Sequence, residues 1–314
     1  MRVVFLGTPE VAVPSLERVI SDGHQVVAVF TQADKPAGRG NRLQPPPVKI
    51  AAQAHNLPIY QPVKIRTEEI RELFQSLAPE AALIVAYGRI IPDWLLSIPP
   101  YGFINLHFSL LPAYRGAAPI NWAIVNGERE TGVTTMQVVP ELDAGDILLQ
   151  QATLIGQQET ASELGTRLSQ MGAELLSETL SRLPTSTLTP QRQDGTRVSY
   201  APVLKREDGH INWAQLRAEE VERRVRGFQP WPGAYTNLHG TRLLLWRAEV
   251  CTDLAVADNQ PGTIVRADKN GIVVVCREAT ALNVLELQLE GRKRLLARDF
   301  LNGVRLPQEE KLDA

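Results

Sequence analysis

The 314-residue sequence has little of what builds a disulfide-bonded, zinc-stabilised or membrane-spanning protein. It contains two cysteines, Cys251 and Cys276, five histidines and no Cys-x-x-Cys pair. We therefore expect two reduced structural thiols rather than a disulfide framework or a structural zinc site. The longest apolar run, residues 81–87, is far shorter than the ~20 residues that cross a bilayer, and the apolar run 2–7 is too short for a secretory signal. These features predict a cytoplasmic protein with no membrane partner.

The sequence also lacks a strong excess of either charge. Its 33 basic and 35 acidic residues give a net charge of −2. A composition of 44% hydrophobic and 22% charged residues is ordinary for a globular protein, which excludes disordered and fibrous classes. Without a global positive field, any contact with nucleic acid must come from local clusters of basic residues.

Strand and helix signals alternate through the first two thirds of the chain. This rhythm implies βαβ units and an open, mostly parallel Rossmann-like sheet of the α/β class. A pair of strands and a long helix with leucines on one face then follow. The predicted strands are 2–7, 24–31, 57–60, 81–86, 103–108, 133–139 and 147–154, and the main predicted helices are 9–20, 67–77, 117–126 and 161–180.

A polar, proline-containing stretch, residues 184–205, is predicted to link two domains, 1–183 and 206–314. The second domain shows one short helix, 214–227, and about five short strands. Such a pattern is typical of a small OB-like β-barrel, a fold that often binds nucleic acid. The predicted strands are 242–250, 262–266, 271–276, 281–288 and 295–300.

Two polar side chains interrupt the apolar strand 103–108. Asn105 and His107 are separated by one residue, so both project from the same face of the strand. An amide and an imidazolium near the end of a parallel strand can donate hydrogen bonds to a developing oxyanion, and the imidazole can also exchange a proton near neutral pH. Taken alone, the pair could equally be two hydrogen-bonded core residues.

A glycine-bearing turn, Leu-Asp143-Ala-Gly-Asp146, offers carboxylates to this histidine. A carboxylate beside an imidazole fixes its tautomer, which is the usual arrangement for acid–base chemistry. One of the two aspartates is expected to serve turn chemistry alone.

Five segments closely resemble the methionyl-tRNA formyltransferases, and the resemblance spans nearly the whole chain. The Asn/His/Asp trio is shared by the wider group of 10-formyltetrahydrofolate-dependent formyltransferases, so it indicates the chemistry but not the acceptor. The basic loop and the C-terminal domain indicate the acceptor. The segments are Asn105-x-His107, Ser-Leu-Leu-Pro-x-x-Arg-Gly-Ala-Ala-Pro over 109–119, Leu-Asp-x-Gly-Asp over 142–146, Thr-Gln-Ala-Asp-Lys-Pro-Ala-Gly-Arg-Gly over 31–40, and Phe-Gln-Pro-Trp-Pro-Gly-Ala-Tyr over 228–235.

The resemblance implies transfer of a formyl group from 10-formyltetrahydrofolate to the α-amine of methionyl initiator tRNA. The amine would attack directly, Asn105 and protonated His107 would hold the tetrahedral oxyanion, and Asp143 would orient His107 and help to move the proton. Each oxyanion donor would contribute ~3 kcal/mol, by analogy with other oxyanion holes. No metal and no covalent enzyme intermediate is implied, and neither cysteine lies in a nucleophile context.

The resemblance also implies a folate cleft and an RNA surface. The expected folate-binding residues are Tyr87, Gly88, Ile90, Ile91, Ser109, Leu110, Leu111, Pro112 and Asp146. The loop 34–47 carries Lys35, Arg39 and Arg42 and would enter the acceptor end of the tRNA, with Arg39 as the main contact. From its residues alone, such a loop is more often a mobile, solvated lid.

Two arginines of the second domain, Arg224 and Arg226, are further candidates for phosphate contacts. Neighbouring glutamates fit a solvated helix face equally well. Two other functions stay open: a formyltransferase acting on a small amine, such as an amino sugar nucleotide or glycinamide ribonucleotide, and a non-catalytic RNA-binding protein. For the tRNA formyltransferase we expect a monomer.

Overall fold

The computed structural model describes residues 1–37, 42–252, 256, 258–307 and 310–313. Its contacts divide the chain into two compact units. Unit 1 comprises Met1–Pro119, Glu130–Leu154 and Gly165–Pro202, and unit 2 comprises Ile120–Arg129, Ile155–Leu164 and Val203–Ala314. The domain boundaries and the linker expected from the sequence stay a prediction.

Unit 1 is built around a seven-stranded sheet. The strands of unit 1, seven of which form this sheet, are β1 (Arg2–Gly7), β2 (Gln25–Phe30), β3 (Lys35–Ala37), β4 (Arg42–Gln44), β5 (Ile59–Tyr60), β6 (Ala81–Val85), β7 (Phe103–His107), β8 (Arg115–Gly116), β9 (Glu130–Gln137), β10 (Ile147–Leu154) and β11 (Tyr200–Ala201). The helices of the first two thirds of the chain are α1 (Val13–Ser21), α2 (Pro47–Ala54), α3 (Glu68–Leu77), α4 (Asp93–Leu96), α5 (Pro119–Val125) and α6 (Ala161–Arg182).

The strand order of the main sheet is β10-β9-β7-β6-β1-β2-β5. The five strands from β7 to β5 pair in parallel, β9 is antiparallel to β7, and β10 is antiparallel to β9. Parallel strands joined by helices read as continuous apolar runs, which is why the β1 and β6 sequences were recognisable. The predicted open, mostly parallel Rossmann-like sheet is therefore confirmed.

Local sequence explains where several elements begin. The side chain of Thr67 accepts a hydrogen bond from the Ile70 amide and caps helix α3. Three aromatic rings then pack in the core beside this helix, with Phe74 lying 5.1 Å from Phe30 and 5.8 Å from Phe103 between centroids. This packing holds β2 and β7 in place, and β7 carries the candidate site.

Unit 2 contains a second sheet that is antiparallel throughout. Its strands are β12 (Ala234–Leu238), β13 (Thr241–Cys251), β14 (Ile264–Asp268), β15 (Gly271–Val275), β16 (Ala281–Leu289) and β17 (Leu295–Leu296), and its helices include α7 (Ala218–Gly227) and α8 (Ala297–Leu301). The order is β12-β13-β16-β15-β14, with β17 paired to β16. The antiparallel sheet domain is confirmed, while its closure into an OB-like barrel stays a prediction.

One predicted strand of unit 2 is wrong. Residues 295–300 were expected to be a strand, but only Leu295–Leu296 is one and the rest is helix α8. Ala297 and Phe300 are both buried, and a spacing of three places them on one face of a helix rather than of a strand. Among the described residues, no helix has the length and apolar character needed to cross a membrane.

Candidate active site

Strand β7 presents Asn105 and His107 on one face of the sheet. In the register with β9, Asn105 pairs with Met136 and His107 pairs with Thr134. Paired residues of adjacent strands share a face, so both polar side chains lie on the same side, as predicted. His107 is the last residue of β7 and is only 5% exposed.

The turn between β9 and β10 brings Asp143 onto this face. Its carboxylate Oδ2 accepts a hydrogen bond from the Gly116 amide at 2.8 Å and lies 3.7 Å from His107 Nδ1, and its Oδ1 lies 3.5 Å from Asn105 Nδ2. The carboxylate is largely shielded, with 13% of the side chain exposed. Asp143, which is distant in sequence, therefore converges with Asn105 and His107, whereas Asp146 is exposed and offers its backbone carbonyl to the Gln137 amide.

The backbone of this turn has an unfavourable conformation at one residue and no room for a side chain at another. Asp143 adopts a left-handed conformation with φ of 48°, which costs a non-glycine residue of order 1–2 kcal/mol. Gly145 packs so closely against β9 that a Cβ atom there would lie 1.7 Å from the carbonyl oxygen of Gln137. The turn is thus held in one shape by its surroundings, which is common where a side chain must be aimed.

Hydrogen bonding fixes the tautomer of His107. Its Nε2 lies 2.8 Å from the carbonyl oxygen of Tyr114. A carbonyl oxygen can only accept, so Nε2 carries a hydrogen and donates it. The other ring nitrogen, Nδ1, therefore faces Asp143 and is the atom that gains or loses a proton at the site.

A buried amide that the sequence analysis missed holds the Asp143 turn. Gln193 Nε2 donates to the carbonyl oxygens of Asp143 and Gly145, each at 2.8 Å. Its Oε1 accepts from Arg115 Nε at 3.0 Å and Nη2 at 2.8 Å. Arg115 is itself buried, and its remaining charged neighbour is Glu141 at 3.6 Å. Gln193 lies in the stretch expected to be a linker, where its polarity gave no signal.

The apolar segment after β7 is also fixed by polar contacts. The hydroxyl of Ser109 is buried and donates to the Ala113 carbonyl at 2.6 Å, so it is not free to bind a ligand. Leu110, Leu111 and Pro112 line a pocket on unit 1. The segment can thus offer a ligand apolar side chains and backbone groups, while the Ser109 hydroxyl stabilises the segment itself.

The expected folate-binding loop after β6 is half buried and half exposed. The Tyr87 side chain is buried in the core and its hydroxyl has no hydrogen-bond partner among the described residues, so burial raises its pKa. Its carbonyl oxygen instead accepts from Thr8 and Gln32. Ile91 is buried, whereas Ile90 is 80% exposed. Gly88 has a φ of 75°, a left-handed conformation that favours glycine, and a Cβ atom there would lie 2.6 Å from Gln32 Nε2.

The basic loop is more ordered than expected, because β3 and β4 pair as an antiparallel hairpin stem. Lys35 Nζ donates to Gln32 Oε1 at 2.8 Å, and Arg42 is exposed. Asp34 at the base of the stem binds Lys49 and Gln61, and these contacts lower the pKa of its carboxyl. Arg39 lies outside the described residues.

The two arginines proposed for unit 2 already have partners. Arg224 Nη1 donates to the Asp208 carbonyl, and burial lowers the pKa of its guanidinium. Arg226 forms an ion pair with Glu222 at 2.5 Å and donates to the Glu159 carbonyl. Their role as phosphate ligands stays a prediction. Across the described part of the chain, no cluster of His, Cys, Asp or Glu side chains is arranged to hold a metal ion.

Comparison with known proteins agrees with this geometry. A formyl transferase family model matches residues 1–180, and a model of the formyl transferase C-terminal domain matches residues 203–305. A methionyl-tRNA formyltransferase from Geobacter metallireducens is 50% identical over 306 residues, covering 98% of this chain and 96% of that protein. Another from Solibacter usitatus is 49% identical over 312 residues, covering 99% and 98%.

Solved structures share the fold at much lower identity. An N-formyltransferase from Helicobacter canadensis, in complex with folinic acid and dTDP-3-aminofucose, has a TM-score of 0.67 at 19% identity and covers 90% of this chain and 98% of its own. HypX from Aquifex aeolicus, in complex with tetrahydrofolic acid, has a TM-score of 0.64 at 18% identity and covers 96% of this chain and 47% of its own. The chain belongs to the formyl transferase family.

Proposed function

We propose that this protein transfers the formyl group of 10-formyltetrahydrofolate to the α-amino group of methionyl initiator tRNA. The observation that carries this function is the convergence of Asn105, His107 and Asp143 at the end of β7, with His107 Nδ1 facing the Asp143 carboxylate at 3.7 Å. Relatives that are about half identical over nearly the whole chain and are named methionyl-tRNA formyltransferases support the choice of acceptor.

The residues present fit a folate substrate, which supplies an activated one-carbon group. The loop Tyr87–Ile91 follows β6, whose last residue Val85 pairs with Leu106 beside His107. The exposed Ile90 side chain offers this end of the sheet an apolar surface for a flat ring. We assign the folate contacts to Tyr87, Gly88, Ile90, Ile91, Ser109, Leu110, Leu111, Pro112 and Asp146, with Tyr87 and Ser109 contributing backbone rather than side-chain groups.

Each member of the trio has one task. The amide of Asn105 and the protonated Nδ1 of His107 donate to the formyl oxygen as it gains negative charge. The Tyr114 carbonyl holds the ring by its other nitrogen, so only Nδ1 exchanges protons during turnover. Asp143, fixed by the Gly116 amide, aligns the imidazole and accepts the proton that leaves the amine. The tetrahedral intermediate then collapses: the bond between the formyl carbon and N10 of the donor breaks, and N10 takes up a proton as tetrahydrofolate leaves.

The RNA surface belongs in the same proposal. Arg42 and Lys35 on the β3–β4 stem, together with Arg39 of the same sequence segment, supply positive charge to the phosphates of the acceptor arm. Arg224 and Arg226 act in the second unit, provided that their present partners release them. We further propose that the protein acts as a monomer in the cytoplasm, where its RNA substrate is charged with methionine.

The decisive experiment is incubation with 10-formyltetrahydrofolate and methionyl initiator tRNA, scored for formylmethionine. His107→Ala should abolish turnover while tRNA binding is retained, and Asn105→Ala should lower kcat by about 10²–10³-fold. His55→Ala is the matched control because His55 is an exposed histidine of unit 1, paired with Glu17.

Two results would contradict the proposal. Full activity of the His107→Ala variant would show that the imidazole takes no part in the chemistry, as in a non-catalytic RNA-binding protein. Formylation of a small amine by wild-type protein, with no reaction on charged tRNA, would assign a different acceptor.

A further inference from the structure

Thr134 lies beside His107 on the catalytic face of the main sheet. It pairs with His107 of β7 on one side and with Gln150 of β10 on the other. Paired residues of neighbouring strands point their side chains to the same face, so these three side chains form a row across the sheet. Thr134 itself is completely buried. Its hydroxyl is therefore a buried polar group on the face that carries the candidate catalytic residues.

That hydroxyl uses all of its hydrogen-bonding capacity. It donates its single hydrogen to the carbonyl oxygen of Ser109 at 2.6 Å. It accepts from the Leu111 amide at 3.3 Å and from Gln150 Nε2 at 2.9 Å. A hydroxyl offers one hydrogen and two lone pairs, so Thr134 has no capacity left for a ligand. Its contacts instead fix the backbone on both sides of Leu110.

Gln150 holds the same segment from the next strand. Its Nε2 also donates to the Leu111 carbonyl at 2.8 Å, so Thr134 and Gln150 together bind both the amide and the carbonyl of Leu111. The side chains of 110–112 are the apolar wall that we assign to the folate. Because these side chains are apolar, the position of the wall depends on the groups that bind its backbone.

The far end of the segment is held by a different part of the chain. The Tyr114 amide donates to Ser199 Oγ at 2.9 Å, and the Arg115 amide donates to the Ser199 carbonyl at 2.9 Å. The Tyr114 carbonyl is the group that binds His107 Nε2. The folate wall and the contact that orients the imidazole are thus secured by separate residues, Thr134 for the first and Ser199 for the second.

We propose that Thr134 is a positioning residue for the formyl donor. Its hydroxyl holds the backbone of Ser109 and Leu111 at the place where the folate ring meets the apolar wall. The inference rests on the proposed function, which assigns this wall to folate. Thr134 acts through the wall and not on the reacting atoms, so its loss should weaken folate binding while the chemical step is largely kept.

The test removes the hydroxyl and then restores it. Thr134→Val keeps the shape of the side chain but takes this partner from the Ser109 carbonyl and the Leu111 amide. We expect the KM for 10-formyltetrahydrofolate and the calorimetric Kd for folinic acid, used as a binding probe, to rise about tenfold. The kcat and the KM for charged tRNA should stay within about threefold of wild type. Thr134→Ser restores the hydroxyl and should return both folate constants to within about threefold of wild type.

Thr135→Val is the matched control. Thr135 is the next residue of β9, is equally buried and faces the other side of the sheet, where its hydroxyl pairs with Thr179 Oγ1 at 2.8 Å. This variant loses a buried hydroxyl bond of the same kind, so it should lower the melting temperature and keep the KM for the folate. A second variant, Gln150→Met, weakens the same contacts from an exposed position and should raise the KM for the folate about threefold.

The outcomes separate this inference from the function on which it rests. If wild-type protein formylates methionyl-tRNA and Thr134→Val keeps the wild-type KM for the folate, the positioning role is refuted and the proposed function stands. An equal rise in KM in Thr135→Val would also refute it, because any buried hydroxyl would then serve. Should Thr134→Val fail to fold, an unchanged KM in Gln150→Met overturns the inference. If wild-type protein neither formylates charged tRNA nor binds folinic acid, the proposed function itself fails.

Discussion

Replacing Gln193 by methionine tests whether the catalytic carboxylate depends on a buried amide far along the chain. Methionine has nearly the same shape but can neither donate to the carbonyls of Asp143 and Gly145 nor accept from Arg115. Among the described residues, the guanidinium of Arg115 would keep only Glu141 at 3.6 Å, although its side chain is just 7% exposed.

The size of the effect follows from those contacts. Each buried polar group left without a partner costs ~1–3 kcal/mol, so three such groups destabilise the turn by about 3–9 kcal/mol. The whole protein is expected to be stable by only ~5–15 kcal/mol, so local opening of the turn becomes frequent. Because a displacement of ~1 Å at a reacting group can lower the rate about 10²-fold, we expect kcat to fall by about that factor.

Two assays separate positioning from general instability. Steady-state kinetics should show the loss in kcat, with the KM values of both substrates within about threefold of wild type. Hydrogen exchange should speed up at residues 141–146 and at the Gly116 amide, which donates to Asp143. Gln191→Met is the matched control, because Gln191 is exposed and pairs with Ile147 through its backbone alone. A Gln193→Met variant with wild-type kcat, or with exchange raised uniformly over the chain, would refute the reasoning.

Three further outcomes are expected. Gly145→Ala should lower kcat and the melting temperature together, because its Cβ atom would meet the Gln137 carbonyl at 1.7 Å; an unaltered melting temperature would contradict this contact. Tyr87→Phe removes a buried hydroxyl without a partner, so it should raise the free energy of unfolding by about 1 kcal/mol in a urea titration. The KM for the folate should stay unchanged. A large rise in KM would show that the hydroxyl binds the substrate. Burial raises the pKa of Cys276 to about 12 from 9.0, so this thiol should resist alkylation in the folded protein at pH 8. Unfolding restores the ordinary pKa, so stability should decline as pH rises from about 9 towards 12, and the decline should be smaller in Cys276→Ala.

The sequence was enough to identify the candidate catalytic residues, but not the contacts that hold them in position. The one-residue spacing of Asn105 and His107 in an apolar strand was enough to place both on one face, because strand periodicity is strict. The turn bearing Asp143 was recognisable from its glycine, although the sequence could not say that this turn folds back across the sheet.

The contacts that hold the Asp143 turn could not be predicted from the sequence, for a physical reason. Gln193 binds backbone carbonyls, and backbone groups are the same at every position of a sequence. Strand β12 was missed because its buried residues include Ala234 and Thr236, which are weak hydrophobic signals despite clean alternation. Helix α8 was mistaken for a strand because five residues are too few to show a helical period.

The hydrogen bond between His107 Nε2 and the Tyr114 carbonyl has a consequence for where the released proton can go. An imidazole with two free nitrogens can relay a proton across its ring, taking it in on one side and giving it out on the other. Here Nε2 donates to a carbonyl oxygen inside the protein, so the ring cannot pass a proton from one nitrogen to the other. Every proton taken up at Nδ1 must leave by the same side, past the edge of Asp143, which is also the side where the amine loses its proton.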